Sequence, residues 1–509
     1  MNSILLTGHD LDLASASAVV FSGAKVRFCP QALKKVTKCA EIVADFVSDN
    51  QVIYGITTGF GSLKNIAIPA DKTEELQKNL IRSHSCGWGE PLSEDLVRGM
   101  LLLRINALLQ GYSGIRVNSL KLMEQFLNLH LYPYIPSRGS VGASGDLCPL
   151  SHLALSLIGE GEFLDRGSRV PALQILSKHG LEPLSLHAKE GLALINGTQL
   201  MSAMALKITS ELTRLLNLSC LSAAMSLEAL LGTRAAFRPE LQKLRPHPGQ
   251  KRIAELIYSI TDDSPIINSH KNCGSVQDAY SLRCIPQVLG AVCDTLTHAC
   301  RVLSIEMNSV TDNPIILNPK EVISGGNFHG EPIAMILDFL AIAITELGSI
   351  AERRIERLVN EQLNCHLPAF LVSESGANSG FMIVQYLAAA LVSECKALSH
   401  PGSVDSIPTS GNQEDHVSMG PVSGFKALSI LDKVKTVVTL EFLTAAQALD
   451  FCKPASSPVI RKARKLIRSE IDFMARDRAI YKDIEKLRPL VAGDELLKIL
   501  RRGKLPLIE

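Results

Sequence analysis

Apolar side chains recur every three or four residues along much of this 509-residue chain, most regularly over 198–231, 282–308, 332–360, 380–399 and 425–451. In the third stretch Ile333, Ile336, Leu340, Ile344, Leu347, Ala351, Ile355 and Leu358 repeat with an average close to the ~3.6 residues of an α-helical turn. Each stretch begins or ends near Gly or Pro, which predicts separate helices reaching up to ~40 Å at ~1.5 Å per residue. Five such helices argue for an elongated bundle of long antiparallel helices, a mainly α fold. Their flanking faces are rich in Ala and Ser, and a bundle of this kind leaves seams for a second copy to cover, so a homo-oligomer is expected.

The first 195 residues are less regular, and we expect a smaller mixed region over 1–195 and the helical bundle with its C-terminal helices over 196–509, forming one catalytic unit. A helix opens at Pro30, a favoured first-turn residue, with Leu33, Val36, Val43 and Val47 on its buried face. Helical spacing returns from about Asp71 to Ser83, then again behind Ser93, a candidate cap, until Gly111. Between the first two lies Gly55-Ile56-Thr57-Thr58-Gly59-Phe60-Gly61-Ser62, a loop by its three glycines.

Charge is almost balanced, 52 basic against 51 acidic residues, so no global field recruits nucleic acid or an anionic membrane. The most apolar run, Ile333 to Ala351, is interrupted by Asp338, Thr345 and Glu346, which suits a buried helix better than a membrane span. No secretory signal is read at the amino terminus. Twelve cysteines without a Cys-x-x-Cys pair suggest free thiols of a reducing compartment, hence the cytoplasm. The basic stretch Arg461-Lys462-Ala463-Arg464-Lys465 reads as a solvated helical face.

The loop Ser140-Val141-Gly142-Ala143-Ser144-Gly145-Asp146 carries the most pointed chemistry. Attack of the Gly145 nitrogen on the Ala143 carbonyl, followed by loss of the Ser144 hydroxyl, would give a five-membered ring with an exposed methylidene that accepts amines. Taken alone the triplet reads as an ordinary Gly-rich turn. A helix is predicted to open at Leu147, so Asp146 and a positive helix end would face the ring.

Other polar clusters fall at breaks between helices: Tyr54 with its glycine loop, Ser83-His84, Asn196-Gly197-Thr198-Gln199, Gln277-Asp278-Ala279-Tyr280-Ser281-Leu282-Arg283, Ser324-Gly325-Gly326-Asn327-Phe328-His329, and Asn412-Gln413-Glu414-Asp415-His416. Tyr280 and Arg283 would share a helical face, and a guanidinium can hold a carboxylate through two parallel bonds. No phosphate-loop Gly-Lys-Ser/Thr follows the glycines, and no His or Cys spacing makes a metal site.

In this order these segments resemble the aromatic amino acid ammonia-lyases and aminomutases over nearly the whole chain, and within that family most closely its histidine-acting branch. The resemblance implies a fumarase/aspartase-like helical fold, a homotetramer with sites shared between subunits, and no metal or external cofactor. It implies a 4-methylidene-imidazol-5-one (MIO) electrophile made from Ala143, Ser144 and Gly145, with Asp146 assisting its formation. Tyr54 becomes the base and Tyr280 a second catalytic group, orienting polar groups together with Gln277. Arg283 and Asn196 would hold the substrate carboxylate, Phe328 would pack beside the electrophile, and His84 and Glu414 would contact an imidazole. Relatives acting on tyrosine tend to show His-Leu where this chain has Ser83-His84, and those acting on phenyl substrates usually have Gln at the Glu414 position. The implied reaction is L-histidine to trans-urocanate plus ammonia. A phenol titrates near ~10, so a basic Tyr54 would need positive surroundings. Gly330 departs from the family, where Ala is common.

Overall fold

The computed structural model describes residues 3–270, 276–364 and 366–509, and it is mainly α-helical. Contacts divide the chain into two compact units: Met1–Lys207 with Ala299–Asp338 and Pro401–Phe425, and Ile208–His298 with Phe339–His400 and Lys426–Glu509. The boundaries fall within the helices Gln199–Ala229, Ile285–Glu306, Glu331–Val359 and Gly420–Asp450, and in the loop after Met382–Leu398.

In the first unit, Pro30–Ser48 forms the helix expected behind its proline, burying Val36, Val43 and Phe46 and leaving Leu33 and Val47 partly covered. Helix Glu94–Leu108 is buried from Leu96 onward, including Arg98, Arg104 and Asn106, so it is a core helix with three polar side chains that must find partners inside. Ser93 precedes it in extended conformation but does not cap it, because its hydroxyl turns to the Asp95 carboxylate instead. Helices Thr73–His84, Leu147–Leu157 and Glu190–Ile195 pack against one another and frame the site. Four two-stranded sheets complete this unit among the described residues: Ile4–Leu6 parallel to Val26–Phe28, and antiparallel pairs Trp88–Pro91 with Pro136–Arg138, Glu162–Asp165 with Ser168–Pro171, and Ile315–Asn318 with Glu321–Ile323.

Asp338, the charge that interrupts the apolar run, accepts hydrogen bonds from the Gly402 and Ser403 amides at 2.9 and 2.7 Å and from the Ser423 hydroxyl at 2.9 Å. An acid there fixes the start of the 401–425 segment, which carries Glu414, rather than exposing the helix to water.

In the second unit the long helices carry the apolar seams. All eight of Ile333, Ile336, Leu340, Ile344, Leu347, Ala351, Ile355 and Leu358 are buried, the last six of them in this unit. A buried fork joins three helices: Arg354 donates to both oxygens of Glu441 at 2.5 and 2.9 Å, while Ser222 and Ser226 donate to the same carboxylate. Four donors on one acid is the pattern that lets an ion pair stay in an apolar core. Pro458–Glu470 buries Ile460, Ala463 and Ile467 and turns Arg461, Lys462 and Lys465 outward, as the charge pattern predicts.

Candidate active site

The Ala143-Ser144-Gly145 triplet is bent back on itself. Ser144 stands in the left-handed region at φ +51°, and Gly145 follows at φ +76°. Holding a serine there costs on the order of 1 kcal/mol, which neighbouring contacts must offset. Glycine is required at 145 for a second reason: a Cβ would lie 2.2 Å from the Gly197 carbonyl oxygen. The two segments run side by side, with Gly145 bridged in parallel to Gly197 and the Asp146 amide donating to the Gly197 carbonyl at 2.6 Å.

Asn196 stands at the end of helix Glu190–Ile195 and donates from Nδ2 to the Ser144 carbonyl at 2.9 Å. Asp146 occupies the N-cap position of Leu147–Leu157 without capping it. Its Oδ2 instead accepts the Leu200 and Met201 amides, at 2.8 and 3.1 Å, at the start of helix Gln199–Ala229. Its Oδ1 is buried without a partner among the described residues. Burial lifts this carboxyl to about 7, with Glu306 adding to the rise and the two amides opposing it. The bent triplet, the glycine-only approach at 145 and a donor already on the central carbonyl fit a group closed from the backbone of Ala143, Ser144 and Gly145.

Tyr54, His84, Ser144, Asn196, Phe328 and Glu414 line one cleft of about 830 Å³ in the first unit. Thr57 shapes the loop beneath Tyr54, its hydroxyl accepting the Ile53 amide and donating to the Gln51 carbonyl. The Gly61 amide donates to Tyr54 Oη at 3.3 Å. Burial nevertheless raises the Tyr54 pKa, and the Glu414 charge adds to that rise. The positive surroundings expected for a basic tyrosine are therefore not supplied by these residues.

His84 ends helix Thr73–His84 with Nδ1 2.9 Å from the Leu80 carbonyl, which fixes the proton on Nδ1 and leaves Nε2 as an acceptor. Burial lowers its pKa, opposed by the Leu80 carbonyl and by Glu414, so the neutral ring is favoured. Glu414 accepts from Thr409 Oγ1 at 2.7 Å through Oε2 and from Ser144 Oγ at 3.2 Å through Oε1. It sits beyond three successive left-handed residues, Ser410, Gly411 and Asn412.

Gln277, Tyr280 and Arg283 belong to the second unit and do not line this cleft. Gln277 and Tyr280 are exposed. Tyr280–Arg283 is a short helix, as their spacing suggested, with the guanidinium 4.5 Å over the Tyr280 ring and Arg283 Nε donating to the Asp278 carbonyl at 2.9 Å.

Several participants escaped sequence reading. Lys64, which donates to Gln413 Oε1 at 2.5 Å, and Asn313, which accepts the Gly325 amide at 2.8 Å, both line the cleft. Gly330 has an explanation as well, since a Cβ there would lie 2.4 Å from the methyl end of Met201. Arg104 is the third omission, and its only sequence signal is a charge within the apolar part of its helix. No cluster of three or more His, Cys, Asp or Glu side chains able to hold a metal ion occurs among the described residues.

Comparison with known proteins places this geometry in a family. The aromatic amino acid lyase family model matches residues 11–469. A histidine ammonia-lyase of Gloeobacter violaceus is 48% identical over 497 residues, covering 97% of each chain. One of Myxococcus xanthus is 47% identical, covering 98% of each. Among solved structures, histidine ammonia-lyase from Trypanosoma cruzi is 40% identical with a TM-score of 0.91, covering 99% of this chain and 96% of that one. Tyrosine aminomutase from Streptomyces globisporus is 37% identical with a TM-score of 0.94, covering 99% of both. The chain belongs to the aromatic amino acid lyase family.

Proposed function

We propose that the chain is a carbon–nitrogen lyase that eliminates ammonia from L-histidine to give trans-urocanate, the first step of histidine degradation. The observation that carries this reading is the placement of His84 and Glu414 in the same cleft as Tyr54 and Ser144. An imidazole has two nitrogens to satisfy. In the protonated ring each carries an N–H, and His84 Nε2 accepts from one while Glu414 accepts from the other.

When formed from Ala143, Ser144 and Gly145, the MIO group supplies an electrophile for the substrate's amino nitrogen. Asn196 holds the Ser144 carbonyl and so orients the triplet. Because the Ser144 hydroxyl is a donor to Glu414 Oε1, its loss during cyclisation frees that oxygen for the substrate. Tyr54 removes the β-proton at Oη. Its raised pKa in this cleft calls for a cation from elsewhere, and Arg283 of a second copy meets that need while binding the substrate carboxylate. Gln277 and Tyr280 arrive with it, and Phe328 packs beside the reacting centre.

Exposed apolar side chains in the second unit, Phe339 and Ile342 on one helix and Ile383 and Tyr386 on another, support burial against further copies, and we infer a homotetramer. Ten described cysteines, all free thiols, support a reducing compartment, which we take to be the cytoplasm.

Purified protein given L-histidine should release urocanate, followed by its ultraviolet absorbance, together with ammonia. The likeness to tyrosine aminomutase raises a second reading, action on tyrosine or phenylalanine. Coumarate, cinnamate or a β-amino acid formed without urocanate would establish that reading instead. A chain retaining only the fold as an oligomerisation scaffold would show none of these products and the mass of the uncyclised chain, whereas ring closure removes the mass of two waters. Ser144→Ala should abolish turnover and leave folding nearly intact.

A further inference from the structure

Arg104 is fully buried and lines no part of the cleft. Its guanidinium hydrogen-bonds to no carboxylate among the described residues, and Asp312, paired with Lys189, acts on it through its charge alone. Nε donates to the Ala193 carbonyl at 2.9 Å, Nη2 donates to the same carbonyl, and Nη1 reaches the Asn196 carbonyl at 2.8 Å and Gln199 Oε1 at 3.2 Å. Burying a cation on neutral oxygens is expensive, and a core that only needed filling would be served by an apolar side chain.

What the guanidinium touches explains its place. Ala193 and Asn196 end one helix, Gln199 begins the next, and Asn196 and Gly197 lie in the short bend between them. A Cβ on Gly197 would lie 2.4 Å from Arg104 Nη1 on one side, while the Gly197 carbonyl lies 2.2 Å from where a Gly145 Cβ would be on the other. Guanidinium, bend and reactive loop are thus three layers in direct contact. Gln199 ties the stack further, donating from Nε2 to Thr311 Oγ1 at 2.8 Å. A planar fork meets three acceptors in fixed directions, which an ammonium cannot do. Arg104 keeps its charge at neutral pH even though burial lowers its pKa to about 10.

We propose that Arg104 is a positioning residue that sets the Asn196–Gly197 bend against the Ala143-Ser144-Gly145 loop, aiming the Asn196 amide at the Ser144 carbonyl and holding the loop in the shape from which it cyclises. The inference rests on the lyase reading above. It concerns placement, so its effect falls on kcat and on ring closure rather than on substrate capture.

Arg104→Lys keeps the charge and loses the fork. Expected are a wild-type far-ultraviolet circular dichroism spectrum, kcat lower by about tenfold or more with KM changed less than about threefold, and a measurable share of chains at the uncyclised mass. Added guanidinium ion should restore turnover to Arg104→Ala, and ammonium ion should not. Gln199→Glu, which keeps the shape but draws the guanidinium towards a carboxylate, tests the same geometry without emptying the site and should lower kcat about threefold or more. Arg104→Lys with wild-type kcat and a complete two-water mass deficit overturns the proposal, as does an unchanged kcat in Gln199→Glu. Wild-type protein with the uncyclised mass and no turnover would instead remove the lyase reading and this inference together.

Discussion

The Asn196 side-chain amide donates to the Ser144 carbonyl at 2.9 Å, across 52 residues of sequence, and does so from the bend between two helices rather than from the middle of either. Its oxygen Oδ1 is buried and has no partner among the described residues. One half of the amide is therefore committed to the reactive triplet, and the other half is left as an acceptor beside it.

Asn196→Ala should fold normally and turn over histidine about tenfold to a hundredfold more slowly, the loss of a buried hydrogen bond of roughly 1–3 kcal/mol at the reacting centre. Steady-state kinetics would measure the loss, and intact mass would show whether cyclisation is slowed as well. A kcat within twofold of wild type would mean that this hydrogen bond has no part in the chemistry.

The helices and the residues that line the first-unit cleft were legible in sequence for different reasons. The Glu331–Val359 helix could be read because its apolar side chains repeat with the helical period, and that period is local. Tyr54, His84, Asn196 and Glu414 could be read only as members of an ordered set of motifs, since each alone is an ordinary polar residue in a loop or at a helix end. Arg104 was invisible because its meaning lies in carbonyls of Ala193 and Asn196, and a backbone acceptor leaves no trace in residue identity. The raised Tyr54 pKa was missed for a similar reason: burial and the nearby Glu414 charge depend on which loops meet, and the sequence motif does not encode it. The unit boundaries were hidden because four of them fall inside uninterrupted helices.

Glu414 offers a test of substrate choice. Its carboxylate accepts from Thr409 Oγ1, and a glutamine could keep that contact through its own oxygen. Glu414→Gln should therefore preserve the loop while turning one acceptor into a donor that faces the imidazole. We expect kcat/KM for histidine to fall by about tenfold to a hundredfold, in keeping with a charge-assisted hydrogen bond of roughly 1.5–3 kcal/mol, and phenylalanine turnover to hold or rise. Parallel assays on the two amino acids would check both halves of the expectation.

The proposed sharing of the site between copies predicts complementation. Tyr54→Phe and Arg283→Ala should each be inactive as purified variants. If Tyr54 of one copy works with Arg283 of another, chains unfolded and refolded together will form some sites with both residues intact. Random assortment would return about one quarter of wild-type activity. Recovery no greater than that of the separately refolded variants would place both residues in a site built from a single chain.

Asp146 makes stability depend on pH in an unusual direction for an acid. Its carboxyl ordinarily titrates near 3.8 and is raised to about 7 by burial. Between those values the folded protein binds a proton that the unfolded chain has released, so this group's contribution is fully present below the unfolded pKa and is lost as pH rises through the folded one. Two amides already donate to Oδ2, so Asp146→Asn can keep both contacts on its amide oxygen while removing the titration. His84, His130 and His152, lowered by burial, act in the opposite sense, so the expectation concerns the difference: in urea unfolding at pH 5 and pH 8 the change in stability of wild type should be more unfavourable than that of Asp146→Asn. Part of the slope will survive in the variant, because burial raises Glu306 in the same direction. Equal slopes for the two proteins would show that Asp146 is ionised in the folded state throughout this range, and its unpartnered Oδ1 would then need a donor.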